Sequence, residues 1–170
     1  MSYQVLFGME HLYKLDTAVS VCFDTETCQL QPEVGKLRLL QLGCKTRKII
    51  VVIDFFQTDE SDWDRLRRFF SNGERYWLSP NAVFDIAWLQ EYGIHPNSRN
   101  LGCSMLASRL LSNGKPNKKH GLADVVDRYL GIELDKEQQK SNWAGTLTQE
   151  QKTYAAKDVE VLTDLYEVMV

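Results

Sequence analysis

The chain has 170 residues, 44% of them hydrophobic and 25% charged, with a formal net charge of −3. That length fits one domain over 1–170 and excludes a second of ordinary size, and the apolar fraction is enough for a core. The slight acidity does not mark a purely electrostatic nucleic-acid binder, and four cysteines scattered without CxxC spacing argue against a zinc site or a disulfide framework.

Tyr3 to Phe7 is a short apolar run, followed by Ala18 to Asp24, the aliphatic Leu37 to Cys44 and the β-branched Lys48 to Asp54; all four read as strands. Helical periodicity begins at Glu60 to Ser71, where Trp63, Leu66, Phe69 and Phe70 share a face. A brief strand, Arg75 to Ser79, leads into a helix over Ala82 to Tyr92. The second half reads as helices at Met105 to Leu111, Gly121 to Leu130 and Thr148 to the end, the last opened by a Thr148–Gln151 capping box. Between the first two lies a turn-rich basic loop from Ser112 to His120. Strands followed by alternating helices and strands indicate an α/β layered domain with a mixed sheet. No apolar run reaches the length of a bilayer and no basic-then-apolar leader opens the chain, so no membrane association and a cytoplasmic location are expected. Oligomeric state is not encoded in any readable pattern.

Three places concentrate acids where chemistry needs them. In Val21-Cys22-Phe23-Asp24-Thr25-Glu26, a period of two puts Asp24 and Glu26 on one face at the end of a strand. Two carboxylates held together away from water repel unless a proton or a cation lies between them, and hard Mg²⁺ or Mn²⁺ prefers such oxygen ligands. The competing reading is a solvated turn. In Asn81-Ala82-Val83-Phe84-Asp85 the aspartate falls early in a helix, where it also serves as a simple dipole partner. In Tyr154-Ala155-Ala156-Lys157-Asp158 the i, i+4 spacing stacks a hydroxyl and a carboxylate on one helical face, while Tyr154 equally suits ordinary packing.

Together and in this order, a strand DxE, an NxxFD and a C-terminal YxxxD over about 135 residues, they resemble the DEDD exonucleases, and the tyrosine resembles the DEDDy branch shared by ribonuclease D and the proofreading domain of DNA polymerase I. Leu37-Arg38-Leu39-Leu40-Gln41-Leu42 looks like that family's second core strand, and His120 to Val126 followed by Leu134 to Trp143 looks like its stretch before the last helix. The resemblance implies a ribonuclease H-like fold, a mixed central sheet flanked by helices. It also implies a 3′→5′ exonuclease that removes nucleoside 5′-monophosphates from a single-stranded RNA or DNA 3′ end or overhang, with two divalent ions, Mg²⁺ or Mn²⁺. By the same resemblance Asp24 would bridge both ions, Glu26 and Asp158 would complete the first, Asp85 would serve the second directly or through water, and Tyr154 would align the attacking water. Thr25 and Asn81 would contact the terminal nucleotide, Lys119 and His120 (with Lys115 and Lys118) would steer the phosphate backbone, and Trp143 would offer a stacking surface, each against the plain reading of a core or solvated residue.

Two positions depart from the family's pattern. Ser79-Pro80-Asn81 lacks the histidine that often precedes the asparagine, and Cys103-Ser104 stands where Asp-Thr is common. Neither is one of the four carboxylates. The rival readings are a catalytically inactive nucleic-acid-binding or scaffolding module on the same fold, and an oligomeric adaptor whose acids fall there by chance.

Overall fold

The computed structural model describes residues 3–113, 115 and 118–169. Six strands form one sheet: β1 (Gln4–Phe7), β2 (Ser20–Thr27), β3 (Leu37–Cys44), β4 (Ile49–Asp54), β5 (Tyr76–Ser79) and β6 (Leu101–Cys103), in the order β1-β4-β3-β2-β5-β6. The antiparallel meander β2-β3-β4 lies at the centre, and β1, β5 and β6 add in parallel at the two sides. The sheet is therefore mixed, as the pattern of elements predicts. Five helices flank it: α1 (Glu60–Phe70), α2 (Ala82–Gln90), α3 (Ser104–Leu111), α4 (Leu122–Leu130) and α5 (Gln149–Met169). Among the described residues no helix is long and apolar enough to cross a membrane.

Every residue of β3 is buried, which explains its unbroken aliphatic sequence: it is the middle strand of a three-layer arrangement and is covered on both faces. Side chains alternate between two cores. Phe23, Leu40, Leu42, Val51 and Ile53 pack under Leu66, Phe69 and Phe70 of α1 and Trp88 and Leu89 of α2. Cys22, Leu39, Ile50 and Val52 pack under Val125 and Val126 of α4 and Ala155, Val159 and Leu162 of α5. Trp77 and Trp88 belong to the first core, which settles them as packing residues. Gly43 lets α5 come close: a Cβ there would lie 3.2 Å from Cβ of Val159, tighter than side chains normally tolerate.

The structure differs from the sequence reading in three local respects. The second half contains a strand, β6, whose three residues are too few to show a period. A 3-10 helix occupies Met9–Leu15, a stretch with no earlier assignment. The second strand runs on to Thr27, so Asp24 and Glu26 lie inside it and not at its end, and the register shift that closes it falls between Glu26 and Thr27.

Helix ends follow their chemistry. Asp59 caps α1 in a reciprocal box with Asp62. The Thr148–Gln151 box at the start of α5 forms as read, with Thr148 N–H donating to Gln151 Oε1 at 3.0 Å and Gln151 N–H donating to Thr148 Oγ1 at 3.2 Å. Arg75, just before β5, is buried with no carboxylate partner among the described residues. It donates instead to the carbonyls of Leu15, Asp16, Ala18 and Phe69 at 2.7–3.2 Å and lies 4.0 Å over the Phe69 ring. Arg75→Met would leave four carbonyls short of a donor, each unsatisfied buried group costing about 1–3 kcal/mol. The variant is expected to lose about 3 kcal/mol of stability with full secondary structure retained, read as a lower urea midpoint at unchanged slope.

Candidate active site

β2 and α5 cross where the acids meet. Asp24 and Glu26, two apart on β2, project toward α5 on the same face as Cys22, and Asp158 comes down from the helix to join them. One carboxylate oxygen from each of the three lies within 4.8 Å of the others, a separation that a single cation can span. Water has largely been removed: Asp24 is 9% exposed, Glu26 8% and Asp158 7%.

Loss of solvent is the main reason that all the acids here hold their protons more tightly than usual. It raises Asp24, helped by the charges of Asp85, Asp158 and Glu26 and opposed by the Thr25 backbone N–H. It raises Glu26, helped by Asp158 and Asp85. Asp158 is pushed up to about 7, with the Tyr154 hydroxyl pulling the other way. Asp85 is pushed up to about 6, held down in part by hydrogen bonds from Ser79 and Thr25. Such a set binds either protons or metal, and hard oxygen donors that form no salt bridge among the described residues fit a divalent ion.

Asp85 lies outside that trio but next to Asp24, on which it is the strongest neighbouring charge. It sits in the first turn of α2 and is 1% exposed. Thr25 Oγ1 donates to its Oδ1 at 2.7 Å, and Ser79 Oγ donates to its Oδ2. Thr25, expected under a terminal nucleotide, thus turns its hydroxyl to Asp85. Sequence reasoning missed Ser79 as a site residue, although it opens the Ser79-Pro80-Asn81 departure. The second departure lies beside it: Met105 N–H and Ser104 Oγ both donate to the Pro80 carbonyl, at 3.1 and 3.4 Å, which ties α3 to the turn that launches α2. Asn81 is the N-cap residue of α2, makes no side-chain cap bond and is half-buried at the cavity wall.

Tyr154 lies one turn before Asp158 on the same face of α5, with its hydroxyl beside that carboxylate. Burial first, then the charges of Asp158, Glu26 and Asp24, drive its pKa far above the ordinary value, so the phenol stays protonated. Trp143 corrects the expectation of a stacking platform. It is 3% exposed, its ring centroid 6.4 Å from that of Tyr154 in a tilted contact, so it buttresses the tyrosine and leaves no open face for a base. The segment carrying it is clamped twice. Arg38 Nη1 donates to the carbonyls of Trp143 and Gly145 at 3.1 and 2.8 Å while its Nε and Nη2 meet Asp54 at 2.9 and 3.1 Å. From the other side, Gln151 Nε2 donates to Ser141 Oγ and the Asn142 carbonyl.

All five motif residues line one cavity of about 700 Å³, within the range of ordinary ligand sites, together with Leu30, Phe84, Met105 and Leu134. Thr25, Asn81 and Trp143 also line it; Lys119 and His120 do not. His120 Nδ1 shares a hydrogen bond with Ser108 Oγ at 2.8 Å, and its pKa is lowered by lost solvation, then by Arg128, Arg109 and Lys118, so it is neutral at pH 7. Lys119 is exposed beside it, as are Lys115 and Lys118; residues 114, 116 and 117 of the basic loop lie outside the described residues.

The acids give the metal-free protein a pH signature. Their pKa values are higher folded than unfolded, so the folded state binds more protons between about pH 4 and pH 7. The stability contributed is present below pH 4 and lost as pH rises through 6 and 7. With chelator present, the melting temperature is expected to fall from pH 5 to pH 8, and millimolar Mn²⁺ should remove that fall. Asp24→Asn should flatten the chelated profile and abolish the Mn²⁺ effect, read by differential scanning fluorimetry.

A family model described as 3′-5′ exonuclease matches residues 8–170. DNA polymerase I of Aquifex aeolicus is 33% identical over 174 residues, covering 99% of this chain and 27% of that protein. Protein RRP6-like 1 of Arabidopsis thaliana is 29% identical over 157 residues, covering 91% and 23%. The chain spans about a quarter of the length of these curated relatives. Among solved structures, Brucella melitensis NrnC is 26% identical with a TM-score of 0.79, covering 98% of this chain and 80% of that one. Structures of NrnC with bound Mg²⁺ and bound to pGG superpose with a TM-score of 0.78. These likenesses, and a mixed six-stranded sheet shared with ribonuclease H-like exonuclease domains, place the chain in the 3′-5′ exonuclease family.

Proposed function

We propose that the chain is a single DEDDy-type exonuclease domain that removes nucleoside 5′-monophosphates from single-stranded nucleic-acid 3′ ends with two divalent ions. The observation that carries this is the convergence of Asp24, Glu26 and Asp158 from β2 and α5 within 4.8 Å, in a cavity that Asp85 and Tyr154 also line. Bound Mg²⁺ in NrnC supports magnesium as a natural ion, and manganese suits the same oxygens. The pGG bound by NrnC supports a short single-stranded end as ligand. RNA and DNA both fit this reading.

Asp24, Glu26 and Asp158 would hold one ion, and Asp24 with Asp85 the other. When bound, such ions acidify a coordinated water and offset charge on the phosphate. The chain's own residues supply position. Thr25 and Ser79 fix both oxygens of Asp85 by hydroxyl donation, so its carboxylate needs little reordering to bind. Tyr154 would offer its hydroxyl to orient the attacking water. Asn81, Leu30 and Phe84 at the cavity wall would receive the terminal nucleotide. The cations Lys115, Lys118 and Lys119 would act on phosphates farther along the strand, outside the cavity.

Asp158→Asn is expected to reduce release of mononucleotides from a labelled strand by on the order of 10³-fold. Tyr154→Phe should slow turnover by up to about 100-fold with Mn²⁺ affinity unchanged. Both are checked by product sizing and calorimetry on matched RNA and DNA strands. A wild-type protein that binds Mn²⁺ and the strand but releases no nucleotide would be a binding module instead. Lys119→Ala should leave turnover intact and reduce the slope of log affinity against log salt by about 0.7 for a strand of ten nucleotides, an effect absent for a dinucleotide.

A further inference from the structure

Gln41 stands out among the buried polar groups. It is completely buried, and neither its amide oxygen nor its amide nitrogen has a hydrogen-bond partner among the described residues. A buried amide left without partners is costly, and leucine or methionine would fill the same place without that penalty. Its neighbours show what it faces. In the antiparallel pairing of β2 with β3, Gln41 lies directly opposite Asp24, as Leu39 lies opposite Glu26 and Gly43 opposite Cys22. Directly opposed residues point to the same face with Cβ atoms about 4.5–5.5 Å apart. Gln41 therefore shares the α5 face with Asp24 and Glu26, between Leu39, which packs with α5, and Gly43, against which Val159 of α5 lies. It carries the one amide side chain of β3, and no other group among the described residues claims it.

We infer that Gln41 is a positioning residue for the metal site: its amide N–H supplies, through one enclosed water, the hydrogen bond that holds the Asp24 carboxylate in its ligating orientation. The inference rests on the exonuclease reading above, since Asp24 is the acid expected to touch both ions. Groups that orient metal ligands in this way change metal affinity by about 10–100-fold when removed. A merely structural Gln41 would behave otherwise. Replacing an orphaned buried amide by an apolar side chain of the same length would then raise stability and leave metal binding alone.

The test compares wild type with Gln41→Met, measuring Mn²⁺ affinity by calorimetry, chelated melting temperature, and the Mg²⁺ concentration at half-maximal strand trimming. The expected result is a melting temperature equal to or above wild type, Mn²⁺ binding weakened by about tenfold or more, and half-maximal activity moved to correspondingly higher Mg²⁺ with the KM for the strand unchanged. Excess Mg²⁺ should restore most of the turnover. If Gln41→Met does not fold, Gln41→Leu is measured in its place against the same expectations. Wild-type-like Mn²⁺ affinity in either folded variant would overturn the role of Gln41 alone. Absence of Mn²⁺ binding by the wild type would overturn both this role and the exonuclease reading.

Discussion

Carboxylates that lose their water repel one another, and β2, α2 and α5 nevertheless bring Asp24, Glu26, Asp85 and Asp158 to one cavity. A fold with no use for such a cluster would relieve it cheaply with one lysine or one asparagine. Here the surroundings are arranged to keep it. Thr25 and Ser79 address Asp85 as neutral donors, Tyr154 faces Asp158 with a protonated hydroxyl, and the two buried arginines are committed elsewhere. Arg38 is paired with Asp54 and two carbonyls, and Arg75 is spent on four carbonyls at the far end of β5. The cluster's negative charge is left for a cation to balance.

Keeping the acids in register is the task of the central strands. β2 carries Asp24 and Glu26 in its interior, and β3 fixes it from one side while α5 closes from above. The approach of α5 depends on Gly43, whose missing side chain leaves room for Val159, one residue past Asp158. A larger residue at 43 would lift the helix and move Asp158 away from β2. The same closeness brings Thr163 Oγ1 to 2.8 Å from Cys22 Sγ one turn later. Sheet and helix are thus joined twice in the two turns that follow the acid that bridges them.

Much of this was legible in the sequence because it depends on local spacing. The DxE period of two, the YxxxD period of four and the Thr148–Gln151 box each specify a face without reference to the rest of the chain, and the central strands show in their aliphatic runs. What escaped depends on tertiary partners. β6 has three residues and exists because β5 pairs with it. Ser79 gains its meaning only where the end of β5 meets Asp85. Trp143 read as a candidate for stacking because its chemistry is the same in core and on surface; burial against Tyr154 decides the matter. His120 shows the same limit, since only the fold reveals Ser108 and the cations around it.

Gln151 joins two things that are far apart in function. Its backbone and side chain close the first turn of α5, and the same side chain grips Ser141 and Asn142 in the cavity wall. Helix fraying and wall opening are therefore one cooperative event: amide protons of the α5 first turn and of the 141–145 wall share a local unfolding free energy. Since Tyr154 sits in the turn that follows, any breathing motion wide enough to let the wall swing out also loosens the tyrosine beside Asp158. The cleft disarms itself whenever it gapes.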